Sequence, residues 1–439
     1  MGHYGTRRSR GPSTHRRVTQ LSPPLPRRRL RGHGAVLFVG TLAGNLLGYL
    51  FFVVLSRTLS PQDLGAVGSL ASLATIAAVP GLGIQLVAAR WVAAPASDSA
   101  EVADGADAAL AAGLRLALLL SAIALVLAPG AAYLLRVDVS AALAVAVAAA
   151  PITMTFAVQG LLQGRERFAA LAIVAALVGV TRVVAAVIAA VAGLGPVAVM
   201  WLFAAGCAVT FVAAAALLRR DGRLPGPSAI RHAWGSSAAR TIFRQSATAV
   251  LPMSGLLVLS SVDMLLARHF LPADLSGGYA VGVLFEKVAL WGPAFLATLY
   301  YPRMARPSDR PRAVRDALLL TAAVGVIGIV AAFLLGGPLV AVVGGAGYAA
   351  LAPLAWLFTA LGVALALVQV LVYADLAVGR HRAGAAVWLA LGASAVVVAG
   401  RHDTITAVVT GVLGSILAVA IVSAALSRSP RRARGAPRG

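Results

Sequence analysis

The chain has 439 residues, 60% hydrophobic and 12% charged, with a formal net charge of +22. Soluble domains are nearer half apolar and a quarter charged, so a water-soluble globular fold is excluded. The positive charge is concentrated at the two ends and in short segments between apolar runs, which is a membrane-topology signal, and no nucleic-acid partner is expected.

Residues 1–33 are rich in Arg and Pro, lack apolar periodicity, and read as a disordered basic tail. Twelve apolar runs follow, each close to the roughly 20 residues needed to span hydrocarbon. They cover about 34–55, 65–88, 108–128, 141–162, 168–191, 196–218, 246–267, 277–299, 317–336, 352–374, 383–400 and 405–426. The first run lacks a small-residue cleavage site and reads as a retained anchor. A basic linker, 219–245, separates an N-terminal bundle (34–218) from a C-terminal bundle (246–426), and 427–439 form a second basic tail.

With the N-terminus inside, 30 of the 37 Lys and Arg residues fall on the cytoplasmic side. Arg57, Arg136, Arg268 and Arg401 fall outside, and Arg115, Arg182 and Lys287 lie within spans. This asymmetry predicts a multi-pass protein of the cytoplasmic membrane with both termini cytoplasmic.

The halves share a repeat. Leu55, Arg57, Pro61, Asp63 and Leu64 recur as Leu266, Arg268, Pro272, Asp274 and Leu275 at a constant offset of 211. An offset of six spans implies parallel repeats about an axis along the membrane normal. Ser60-Pro61-Gln62-Asp63 has the pattern of a helix start, with Ser as N-cap and Asp near the positive helix end. Gly40, Gly44 and Gly48 form a small-residue row suited to close helix packing. Pro80-Gly81, Pro151 and Gly292-Pro293 are candidate breaks or bends in spans two, four and eight.

The sequence resembles the oligosaccharide-flippase (Wzx-type polysaccharide exporter) branch of the multidrug/oligosaccharidyl-lipid/polysaccharide exporter superfamily. The resemblance is carried by Asn45 with 55–65, by Ser261-Val262-Asp263 followed by 275–279 and Tyr301-Pro302, and by Gly379-Arg380. It implies an all-α membrane protein of about twelve transmembrane helices, arranged as two parallel six-helix bundles around a central cavity. The implied function is transport of a lipid-linked oligosaccharide, a polyprenyl-diphosphate sugar, across the cytoplasmic membrane for cell-surface polysaccharide biosynthesis. The alternative is a multidrug or cation antiporter of the same fold. Its partners would be the lipid-linked substrate, membrane lipids and a coupling ion, proton or sodium.

Such a cavity must shelter a diphosphate from hydrocarbon, and the planar, permanently charged arginine fork suits that task. The candidates for it are Arg182, Lys287, Arg57, Arg90 and Arg268. Arg182 sits mid-span, where snorkelling to an interface is difficult; Arg115, nearer a span end, reads as a snorkelling residue. Glu286 and Lys287, adjacent on a helix, point roughly 100° apart, so mutual neutralisation is not assumed. No His lies within a span, which leaves Asp263 and Glu286 as coupling-ion candidates. Asp375, near the inner end of span ten, reads as solvated.

Enzymatic readings are weak. There is no Walker A pattern and a single cysteine, Cys207, so neither a nucleotide hydrolase nor an internal disulfide is expected, and no metal site or cofactor is foreseen. A membrane glycosyltransferase would need a larger outside domain than the short outer loops provide.

Overall fold

Long runs of Ala, Val and Leu with few breakers leave the backbone one way to satisfy its polar groups in hydrocarbon, and that is the helix. In the computed structural model, described here for residues 27–93, 99–220, 226–380 and 382–428, every regular element is helical. The first half comprises α1 (Arg27–Leu55), α2 (Pro61–Ala93), α3 (Ser99–Leu135), α4 (Val139–Gly164), α5 (Phe168–Val191) and α6 (Pro196–Arg220). The linker folds as two short helices, α7 (Pro227–Trp234) and α8 (Ser237–Ala249). The second half contains α9 (Leu251–Phe270), α10 (Ala273–Trp291), α11 (Ala294–Met304), α12 (Arg310–Leu334) and α13 (Gly336–Val343). A 3-10 turn at Ala346–Leu354, then α14 (Ala355–Leu376), α15 (Arg382–Gly400) and α16 (Ile405–Arg428) complete it.

Each of the twelve expected spans overlaps helical structure, the seventh running from the end of α8 into α9 and the eighth over the α10–α11 pair. By length and composition, eight described helical stretches can each cross a membrane alone, and a ninth arises if α8 and α9, bent by 60°, count as one. Most of the expected tail 1–33 and all but two residues of 427–439 lie outside the described residues. Gly292 and Pro293 do separate α10 from α11, whereas α2 and α4 continue through Pro80 and Pro151.

The outward-facing side chains are apolar, among them Val126, Leu127, Ile327, Phe333 and Val396. In water this surface would be a liability; on a multi-pass membrane protein it is the face presented to lipid. Inside, lipid supplies no hydrophobic drive for helix association, so close backbone approach matters more. At Gly44 a Cβ would lie 2.3 Å from the Ala175 carbonyl oxygen, and at Gly40 2.6 Å from Ala172 Cβ. The glycine row therefore seats α1 against α5, except at Gly48, which faces the Arg182 guanidinium at 3.8 Å.

The repeat is visible in the packing. In the first half α1 packs on α5, α2 on α4, α3 on α4, α4 on α6 and α5 on α6. In the second, α9 packs on α15, α10 on α14, α12 on α14, α14 on α16 and α15 on α16, which is the same pattern. The halves meet chiefly through α2 against α9 and α10. At the α1–α2 end this meeting is backbone against backbone. A Cβ on Gly65 would fall 2.9 Å from the Ser276 carbonyl carbon and 3.0 Å from the Gly277 nitrogen, and one on Gly277 2.0 Å from the Pro61 carbonyl oxygen. Gly65 and Ser276 are equivalent positions of the repeat, so the pseudo-twofold axis passes between them.

Candidate functional site

Between the halves lies a cavity of about 240 Å³ walled by α1, α2, α5, α6, α9 and α10. Its polar lining includes Asn45 and Tyr49 from α1, Ser72 and Thr75 from α2, Ser260 and Ser261 from α9, and two cations, Arg182 and Lys287. A second, almost wholly apolar cavity of about 410 Å³ adjoins it, walled by α1, α10, α12, α13 and α14. Tyr49 and Leu284 line both.

Arg182 is held on α5, with its guanidinium carbon 5.4 Å from the centre of the Phe203 ring. Among the described residues no carboxylate forms an ion pair with it. Lys287 is different. Its ammonium lies 2.8 Å from Glu286 Oε1 and also donates to the Ser260 carbonyl. This corrects the expectation for neighbouring positions: the Cα–Cβ vectors diverge, but the long lysine stem folds back onto the adjacent carboxylate.

Asp263 and Glu286 are 1% and 0% exposed and are buried neighbours, close enough to interact electrostatically, behind the cavity wall. The Tyr279 hydroxyl donates to Asp263 Oδ2 at 3.2 Å. The structure thus brings together three of the predicted residues, Asp263, Glu286 and Lys287, and places Arg182 on the same cavity.

Arg57, Arg90 and Arg268 are not on it, which corrects their placement as cavity candidates. Arg57 donates to the Ala341 and Val342 carbonyls at the end of α13, at 2.8 and 2.6 Å. Arg268, 2% exposed, donates to Leu135 O and Arg136 O at 2.9 Å each, to Gln62 O at 3.1 Å and to Ser276 Oγ at 2.8 Å. Arg136 returns the contact, donating to the Arg268, His269 and Leu271 carbonyls. Helix C-terminal carbonyls have no partner within their own helix, and a guanidinium fork satisfies two or more of them at once. Arg90 is exposed in the last turn of α2, at the opposite end from the α1–α2 turn.

Three smaller readings are sharpened. Ser60 caps α2 reciprocally with Asp63, its Oγ accepting from the Asp63 N–H at 3.1 Å and donating to Oδ2 at 2.7 Å. Arg115 lies 4.7 Å over the Trp234 ring and donates to the Trp234 carbonyl, which pins α7 to α3. Asp375, expected to be solvated, pairs instead with Arg310 at 3.6 Å and accepts from the Ala383 N–H at 2.9 Å, tying together α12, α14 and α15.

Two residues escaped the sequence reading. Tyr49 was readable in principle, one turn along α1 from Asn45, each directly following a glycine of the row. Arg136 was not, because its partners are main-chain carbonyls that no side-chain pattern encodes.

Solved structures share this fold. An inward-facing multidrug resistance MATE family transporter of the MOP superfamily aligns with a TM-score of 0.66 at 15% identity, covering 90% of this chain and 99% of that one. The lipid II flippase MurJ in an inward closed conformation aligns at 0.69 and 12% identity, covering 90% and 87%. The eukaryotic MATE transporter AtDTX14 aligns at 0.61 and 12%, covering 90% and 93%. At these identities the likeness establishes a common fold. A sequence search of curated proteins returns no significant match. Residues 31–307, more than half of the chain, match the family described as polysaccharide biosynthesis protein. On that match and this fold, the chain belongs to the polysaccharide biosynthesis protein family.

Proposed function

We propose that the protein carries a lipid-linked oligosaccharide, a polyprenyl-diphosphate sugar, across the cytoplasmic membrane for cell-surface polysaccharide biosynthesis, without chemical conversion. The observation that carries this reading is Arg182, a guanidinium on the cavity wall that no carboxylate among the described residues pairs with. A cation held at that depth is costly unless a watery cavity or an anionic ligand receives it. A diphosphate supplies the matching anion, and the fork geometry recognises it with paired, charge-assisted hydrogen bonds.

The adjoining apolar cavity supports the same substrate class, because an anionic head on a long isoprenoid tail needs a polar and an apolar compartment in contact. Tyr49, apolar in body and polar at its tip, lines the boundary. That another bearer of this fold is a lipid II flippase agrees with a lipid-linked cargo. An antiporter for cationic drugs is favoured less, since both carboxylates are sealed behind Lys287 and neither lines the cavity.

With both termini cytoplasmic, the α1–α2 end faces outward. Its backbone contacts and the Arg57 and Arg268 bonds then close the outer side, and transport proceeds by rocking of 34–218 against 246–426. Asp263 and Glu286 are the site for a coupling proton or sodium ion. The test is reconstitution of the full chain in proteoliposomes with a fluorescent polyprenyl-diphosphate sugar and a membrane-impermeant reagent that modifies only outer-leaflet sugar. Protein-dependent exposure of the sugar is expected. Exposure no faster than in empty vesicles overturns the proposal.

A further inference from the structure

Behind the cavity wall two carboxylates lie beside a single cation, Lys287, which pairs with one of them. Asp263 and Glu286 are both sealed from solvent and are neighbours, yet of the two carboxylates Lys287 pairs only with Glu286, at Oε1, its other contact being the Ser260 carbonyl. Among the described residues no donor meets Asp263 Oδ1 or Glu286 Oε2. Buried polar atoms are normally partnered, and two acceptor-only oxygens on neighbouring carboxylates are satisfied together by one added proton or one monovalent cation.

Lys287, the only lysine in the chain, joins this pair to the cavity. Its side chain is 19% exposed and lines the same wall as Arg182. An ammonium on a four-carbon stem can swing between partners in a way that a rigid fork cannot. The titratable and charged groups around it are Tyr49 from α1, Asp263 from α9, and Tyr279 and Glu286 from α10, with Arg182 from α5 on the cavity. The residues that α14 presents to this part of α10 include Phe358, Thr359, Gly362 and Val363, and those of α2 include Gly68, Ser72 and Thr75, none of them titratable.

We propose that Lys287 is the exchange element between coupling ion and substrate: the empty carboxylate pair holds its ammonium, and loading the pair releases it into the cavity to join Arg182 on the diphosphate. This rests on the transport reading above. Withdrawing the lysine from an empty pair strands two like charges away from water, whereas withdrawing it from a loaded pair strands one, so loading lowers the cost of release. By linkage, a bound diphosphate favours loading by the same factor that loading favours the diphosphate.

The experiment measures binding of radiolabelled undecaprenyl diphosphate to the full chain in nanodiscs. One arm lowers pH from 8.5 to 5.5 without sodium; the other adds NaCl at fixed pH. Wild type is expected to bind about tenfold or more tightly in the arm that loads the pair, which also identifies the ion. Glu286→Gln should bind tightly and without response in both arms, with Asp263→Asn making the same comparison if the first variant does not fold. Lys287→Met should bind weakly throughout. A flat wild-type response, or a Lys287→Met variant that keeps the full response, overturns the exchange. Binding that ignores both the ion and Arg182→Met instead overturns the transport reading.

Discussion

Arg57 and Arg268 occupy equivalent positions of the two repeats, and each reaches across to cap the main-chain carbonyls of the other half. Arg268 serves the end of α3 and Arg57 the end of α13, the short helix that follows α12. The sequence showed a pair of arginines 211 positions apart; the structure shows a reciprocal clasp at the α1–α2 end. Arg268→Ala removes a buried charged donor from four acceptors and should cost about 3 kcal/mol, whereas exposed Arg57→Ala should cost about 1 kcal/mol. Thermal unfolding of the detergent-solubilised protein distinguishes the two, and equal losses would mean the clasp is not asymmetric in strength.

Gly65 lies where the two halves touch, with no room for a Cβ against Ser276. Gly65→Val should therefore force the α1–α2 end apart. A cysteine placed at Ser261, on the cavity wall, in a Cys207→Ser background should then react several-fold faster with a membrane-impermeant maleimide added from outside. No gain in labelling would show that this contact does not hold the end shut.

Arg182→Ala should leave expression and membrane insertion intact while weakening diphosphate binding about ten- to a hundredfold, the worth of one or two hydrogen bonds between charged groups. Arg182→Lys should recover part of it, because a point charge replaces the fork but not its paired geometry. Wild-type binding in the alanine variant would remove this residue from the substrate site.

The glycine row makes a graded prediction. Gly44→Ala drives a methyl into the Ala175 carbonyl and should destabilise by about 1–3 kcal/mol. Gly48→Ala meets only the Arg182 guanidinium at 3.8 Å, so it should fold normally and alter binding instead. Thermal unfolding and diphosphate binding measured on both variants give the comparison.

Asp375→Asn should loosen the end opposite the clasp. It loses the charge that faces Arg310 and weakens the bond from the Ala383 N–H. A loss of about 0.5–2 kcal/mol is expected, typical of a helix cap, with transport reduced less than by Arg182→Ala. Unfolding midpoints and transport assays on the two variants together test this.

The sequence by itself determined the helical membrane architecture, the approximate positions of the apolar helices, the doubling of the chain, and the small-residue packing row on α1, though not that α5 is its partner. All of these follow from local composition and periodicity: apolar length, breakers, glycine spacing and a repeated motif. It also singled out Arg182, whose depth within a span is legible from residue counting alone.

Only the tertiary structure decided which charges meet. Arg57 and Arg268 read as cavity cations because charge in a repeat is visible, while the carbonyls that receive them belong to every residue and leave no mark in a sequence. Lys287 and Glu286 were separated by helical geometry and rejoined by the reach of a flexible side chain. Asp263 gained its neighbours only when α9 and α10 packed together. The positions of helices are set by local physics, and the partners of their buried charges by the distances that packing imposes.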